Sequence, residues 1–205
     1  MPTLVPSKVA NEDLISDRRG KIVDAAMELF LKQGFHKTSV REIATNANIT
    51  MGALYLYIAR KEDVLYLISD SIMSEFAAGM RTVEPRETCA ETLRAQAEYF
   101  FGAVERLSRQ LLLLYRESAS LDGAQRQALK DSEIHVRTEF ARVIRSGVAG
   151  GEFRDVDPEF VAQNILMLAH MWALKGWALR DRMDFETFRD AQINLIFSML
   201  TPTPR

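Results

Sequence analysis

One cysteine, Cys89, in 205 residues leaves no material for a disulfide framework or a paired-cysteine metal or redox motif. Histidine is nearly as scarce, at three, and the chain has no glycine-rich phosphate loop. A lone thiol and three scattered histidines supply neither a nucleophile–base set nor a metal cluster, so no catalytic residues, metal or cofactor are expected. No charge sign dominates: 26 lysines and arginines against 28 acids leave a formal net charge of −2. That excludes a protein basic all over, but not a basic patch on one face. An apolar N-terminal run of signal-peptide length is also missing, so a cytoplasmic protein is expected.

Long hydrophobic runs reduce to one, residues 160–179, which has the length of a bilayer span. Gln163, Asn164, His170 and Lys175 inside it argue against a membrane. A helix buried on most sides in a bundle or dimer seam has the same composition. No segment alternates apolar and polar residues for the length of a strand, and there are no internal repeats.

What the chain does have is 47% hydrophobic residues recurring at helical spacing. The pattern predicts an all-α fold of about nine helices. The first runs from Asp17 to Gln33 with Gly34 as its stop, and the second is capped by Thr38 or Ser39. A short third helix capped by Thr50 extends to Tyr57, and a fourth runs from Lys61 to about Met80. Beyond Pro85 five longer helices are expected: 90–107, 110–121, 125–148, one opened by Asp157-Pro158 and one opened by Asp184. Four consecutive leucines, Leu111 to Leu114, make the sixth apolar all round and place it inside the bundle. The partition is a flexible arm (1–16), an N-terminal domain (17–65) with the fourth helix as connector, a C-terminal domain (81–201) and a tail (202–205).

Residues 34–57 pair two short helices across little more than Asn46–Ile49, the form of a helix-turn-helix. In that motif the start of the second helix meets base edges in the major groove. Gly52 and Ala53 leave room for close approach, Leu54 and Ile58 point to the core, and Tyr55 and Tyr57 can reach phosphates. Tyr55 as a packed aromatic is the alternative. From Lys32 to Lys61 five basic residues (Lys32, Lys37, Arg41, Arg60, Lys61) face one acid, Glu42, whereas residues 66–205 hold 17 basic and 20 acidic residues. The basic patch therefore coincides with the motif.

Residues 22–65 resemble the DNA-binding domain of the TetR family of transcriptional regulators. The resemblance rests on Ile22, Ala25-Ala26, Phe30, Gly34, Thr38-Ser39-Val40, Ile43-Ala44, Ala47, Gly52-Ala53-Leu54-Tyr55, Tyr57 and Lys61-Glu62. Ile58 and Thr50 depart from the family's usual Phe and Ser, both mild exchanges. The resemblance implies a homodimeric repressor that binds a palindromic double-stranded DNA operator and is released by a small-molecule effector. It places Arg41, Thr50, Met51, Gly52 and Ala53 near bases, and Thr38, Ser39, Tyr55, Tyr57 and Lys61 at phosphates. A solvated lysine is the alternative at Lys61.

In the C-terminal part, Tyr99, Phe100, Leu112, Tyr115, Arg116, Phe140, Met171 and Trp172 are the expected ligand-binding residues. An ordinary bundle core is the alternative for most of them, and an Arg116–Glu117 ion pair for the arginine. His170 reads as a satisfied core or dimer-seam histidine. The leucine run and the eighth helix resemble members answering to fatty acids or acyl thioesters, which implies an apolar effector. The alternatives are an aromatic cation, for which Glu117 is the obvious acid, or a structural dimerisation module with no DNA. A homodimer is expected through the last two helices by way of Phe160, Leu168, Ile193, Ile196, Phe197 and Leu200.

Overall fold

The computed structural model describes residues 4–201. Among them are nine α-helices and no strand: α1 Glu12–Gln33, α2 Val40–Asn46, α3 Met51–Leu54, α4 Lys61–Thr82, α5 Cys89–Arg106, α6 Ser108–Glu117, α7 Gly123–Ala149, α8 Pro158–Lys175 and α9 Phe185–Leu200. Single 3₁₀ turns follow α6 and α8. No helix of the described residues is long and apolar enough to cross a membrane.

Local capping chemistry sets most boundaries. Ser39 and Glu42 form a reciprocal capping box at α2, Thr88 and Glu91 another at α5, and Asp157 with Pro158 opens α8. Gly34 stops α1 at φ +91°, and Asn48 takes a left-handed turn (φ +53°) between α2 and α3. Two boundaries differ from expectation. Asn11 accepts a bond from the Leu14 amide at 3.0 Å, so α1 starts at Glu12 and residues 12–16 are helix rather than arm. α3 is one turn long and gives way to a turn at Tyr55–Tyr57 instead of continuing as helix.

The residues fall into two compact units that cut across the expected domain boundaries. The first holds the chain up to Ile72 together with Arg109–Lys130; the second holds Met73–Ser108 and Asp131 onward. In the first, Ile22, Ala26, Phe30, Phe35, Ile43, Leu54, Ile58 and Leu65 are buried. α6 is not apolar all round: Leu111, Leu113 and Leu114 are buried, but Leu112 and Tyr115 are exposed. Successive residues on a helix point 100° apart, so four adjacent leucines cannot share one face.

The second unit is centred on Phe100, whose ring lies 4.9 Å from Phe76 and 5.6 Å from Phe140. His170 packs among them, 5.8 Å from Phe100, and burial pushes its pKa down to about 4. Trp172 and Phe101 both meet Phe188, tying α8 and α5 to α9. The Glu152 carboxylate, just past α7, accepts the Cys89 and Ala90 amides at the start of α5, which holds it below the usual carboxylate range.

Candidate nucleic-acid interface

α2 and α3 pack against each other in the first unit. The Ser39 hydroxyl accepts from the Glu42 amide at 3.2 Å, while the Glu42 carboxylate accepts the Ser39 amide at 2.7 Å. The Ser39 amide and, at 2.8 Å, its hydroxyl donating to the carboxylate hold the Glu42 pKa down, and the box orients the first turn of α2. Thr50 accepts from the Ala53 amide at 3.1 Å and so starts α3, and Leu54 anchors it in the core. Left outward are Ser39, Arg41, Thr50, Gly52 and Tyr55, with Met51 and Ala53 half-buried. A Cβ on Gly52 would meet nothing within 4 Å, so the backbone there is open to close approach.

Three residues expected at phosphates are committed to the protein itself. Thr38 is buried, its hydroxyl donating to the Gly34 carbonyl at 2.9 Å. Tyr57 is buried as well. The Lys61 ammonium donates to the carbonyls of Phe35 (2.7 Å), Thr38 (3.0 Å) and His36 (3.3 Å) and lies 4.4 Å from the Phe35 ring centre. A cation at the first position of a helix opposes the helix dipole, and three carbonyls offset that conflict. Arg60 is also engaged, with Asp63 and Asp122. Of the five basic residues in the patch, the two at its C-terminal end thus serve the fold.

Sequence reading missed Arg19. Its buried guanidinium donates to the Tyr57 carbonyl from two nitrogens (3.2 and 3.1 Å) and to the Val5 carbonyl at 2.6 Å. Burial lowers its pKa, and the charge of Asp63 counters the shift. Ser7 Oγ and the Lys8 amide both donate to the Leu56 carbonyl, at 3.1 and 2.9 Å. A signal was available: Arg19 lies three and seven residues before Ile22 and Ala26, on the buried stripe of α1.

The expected ligand-binding residues do not form one lining. Phe100, Phe140 and Trp172 are packed core, and the Tyr99 hydroxyl donates to the Glu75 carbonyl at 3.0 Å. Met171 is half-buried, while Leu112, Tyr115 and Arg116 are exposed and belong to the first unit. A cavity of about 380 Å³ in the first unit is lined by Met27, Glu28, Leu31, Lys32, Arg109 and Gln110. One of about 190 Å³ in the second includes Cys89, Thr92, Gln96, Arg142 and Glu152. Neither includes any of the eight.

The dimer residues also divide. Ile193, Ile196 and Leu200 are buried in their own unit, and Phe197 is half-buried with the Arg94 guanidinium 4.6 Å from its ring centre. Phe160 is 69% exposed and Leu168 half-buried; Met167, Leu195 and Trp177, outside the expected set, are exposed. Phe160, Met167, Leu168 and Met171 follow one face of α8 at intervals of seven, eight and eleven residues.

Residues 22–66 match the family model for bacterial regulatory proteins of the tetR family, and residues 86–174 match that for a tetracyclin repressor-like C-terminal domain. The HTH-type transcriptional regulator HbdR of Aromatoleum sp. (strain CIB) is 30% identical over 193 residues, covering 94% of this chain and 84% of that protein. The HTH-type transcriptional repressor KstR2 of Mycobacterium tuberculosis H37Rv is 28% identical over 150 residues, 72% of this chain and 75% of its own. A crystal structure of a tetR-family regulatory protein from Rhodococcus RHA1 superposes with a TM-score of 0.81 at 21% identity, covering 91% of this chain and 98% of that one. AibR in complex with isovaleryl coenzyme A and operator DNA shares the fold, with a TM-score of 0.72 at 24% identity over 88% of this chain and 98% of that one. A relative matched at this identity along nearly the whole chain decides the matter: the protein belongs to the TetR family of DNA-binding transcriptional regulators.

Proposed function

We propose that the protein is a homodimeric repressor that binds a palindromic operator through α2 and α3 and leaves it when a small apolar effector, a fatty acyl compound, binds. The observation that carries the reading is the surface at α3, where Gly52 leaves the backbone bare beside exposed Arg41, Thr50 and Tyr55. Arg41, Thr50, Met51, Gly52 and Ala53 read bases, and Ser39 and Tyr55 hold phosphates. The dimer forms through the exposed apolar face of α8 with Leu195 of α9, more apolar surface than a monomer's own core uses. The acyl effector is supported by relatives: AibR was crystallised with isovaleryl coenzyme A, and a fatty acid metabolism regulator protein of Bacillus subtilis is 34% identical over 74 residues. An aromatic cation fits less well, because Glu117, the acid it would use, is bonded to His36 at 3.2 Å.

The test is selection of bound duplexes from a random library, then titration of the winning sequence with and without a series of acyl-CoA thioesters. A palindromic consensus whose complex dissociates on adding one thioester is the expected result. Binding with no sequence preference refutes the operator reading, and a complex indifferent to every thioester refutes the effector.

A further inference from the structure

We infer that the segment Leu4–Val9 is a third element of the DNA interface, with Lys8 contacting a backbone phosphate and Arg19 positioning it. The inference rests on the DNA-reading role proposed for α2 and α3.

A helix leaves its last carbonyls without intrahelical donors, and a helix of a single turn has little else to hold it. The last carbonyls of α3 are taken by the amides of Tyr55–Ile58, and the turn that provides them, Tyr55–Tyr57, is itself held from outside. The Leu56 carbonyl takes the Lys8 amide at 2.9 Å and Ser7 Oγ at 3.1 Å, and the Tyr57 carbonyl takes two bonds from Arg19. The same guanidinium reaches back to the carbonyls of Val5 (2.6 Å) and Pro6 (3.3 Å), and the Val5 side chain is buried. One buried cation therefore joins the N-terminal segment to the turn that follows the reading helix, and Ser7 Oγ accepts the Val9 amide at 3.2 Å within that segment.

The consequence is positional. Lys8 is bonded through its amide to the residue that follows Tyr55, and both Lys8 and Tyr55 are exposed. Its ammonium, on a four-carbon stem, has no acidic partner among the described residues. Arg60 and Lys61 sit close by in sequence but are neutralised or bonded internally. An exposed, unneutralised cation held at the edge of the reading helix has the chemistry of a phosphate contact: a point charge, with no demand on base sequence.

The experiment titrates full-length wild type, Lys8→Gln, Arg19→Lys and the double variant on operator and scrambled duplexes from 50 to 200 mM salt. Lys8→Gln is expected to keep its melting temperature and to reduce the slope of log affinity against log salt by ~0.9 on both duplexes. Over that fourfold salt range it then loses roughly 3.5-fold less affinity than wild type does. Lysine at position 19 lacks the planar fork that makes four bonds to three carbonyls, so the segment is released and the slope falls by a similar amount. The double variant should show no further fall, because both changes remove one contact. An unchanged slope in Lys8→Gln, with wild type binding its operator tightly, overturns the inference, as does a double variant whose losses add. Wild type that binds neither duplex refutes the underlying DNA reading instead.

Discussion

Replacing Lys61 separates two roles that the sequence leaves open. In the structure its ammonium bonds three carbonyls of the loop between α1 and α2, at 2.7, 3.0 and 3.3 Å, and lies over the Phe35 ring. A hydrogen bond to a charged group contributes about 1.5–3 kcal/mol, but three bonds from one half-exposed ammonium share that energy rather than add. The cation–π contact adds about 0.5–1 kcal/mol. Lys61→Ala frees carbonyls that water reaches in part, so a net loss of about 2–4 kcal/mol is expected. For a chain of this size each kcal/mol moves the midpoint by roughly 2–4 °C, giving a fall of roughly 5–15 °C in the transition that unfolds the first unit. DNA affinity should drop on all duplexes with the salt slope nearly unchanged, since no counterion is displaced by Lys61 in the bound state. Thermal melts followed by circular dichroism, paired with DNA titrations at several salt concentrations, measure both. A variant that melts like wild type while its slope falls by ~0.9 would refute the reasoning and restore Lys61 to the phosphates.

Other perturbations test the second unit. His170 is neutral in both states above pH 6.5; as pH falls towards its folded value of about 4 the unfolded chain takes up the proton first, so stability is lost across that window. The loss amounts to about 3 kcal/mol, and urea titrations from pH 7 to pH 4 should show a shallower decline in His170→Leu than in wild type. Gly147→Ala should destabilise by about 1–3 kcal/mol despite alanine's better helix propensity, because its Cβ would lie 2.3 Å from the buried Phe153 ring; a calorimetric midpoint at or above wild type would count against that packing. Phe160→Asp with Leu195→Glu should yield folded monomers by sedimentation, whereas Ile196→Asp, at a buried position, should unfold the chain.

Short-range chemistry was legible in the residues. The Ser39–Glu42 box, the Thr50 cap, the Asp157-Pro158 start and the Gly34 stop each depend on neighbours within four positions. The core positions of Leu54 and Ile58 followed from helical spacing. Long-range pairing was not legible. Lys61 meets carbonyls 23 to 26 residues away, and nothing local distinguishes that lysine from one facing DNA. In α8 and α9 apolar residues occupy more than one face. Periodicity then marks them as apolar without telling which face is turned inward: Ile193, Ile196 and Leu200, expected at a dimer surface, are buried in their own unit, whereas Phe160 and Leu195 are exposed.

In the reading head, the side chains that hold α3 in place are, Thr50 apart, not those that face outward from it. Arg19, Thr50, Leu54 and Tyr57 fasten the turn, while Arg41 is exposed, Met51 is only half-buried and Gly52 has no side chain to pack. On the proposed reading, operator preference can therefore drift without endangering the fold. Gly52 is the extreme case, since a side chain there meets open space and alanine would even favour the helix by about 1 kcal/mol. On the proposed reading, in which Met51 and Gly52 meet bases, a change of target sequence can be acquired by single exchanges at positions 51 and 52. Transplanting α3 alone into another regulator should fail, because the donors that hold the turn after it would be left behind in α1 and in the residues before it.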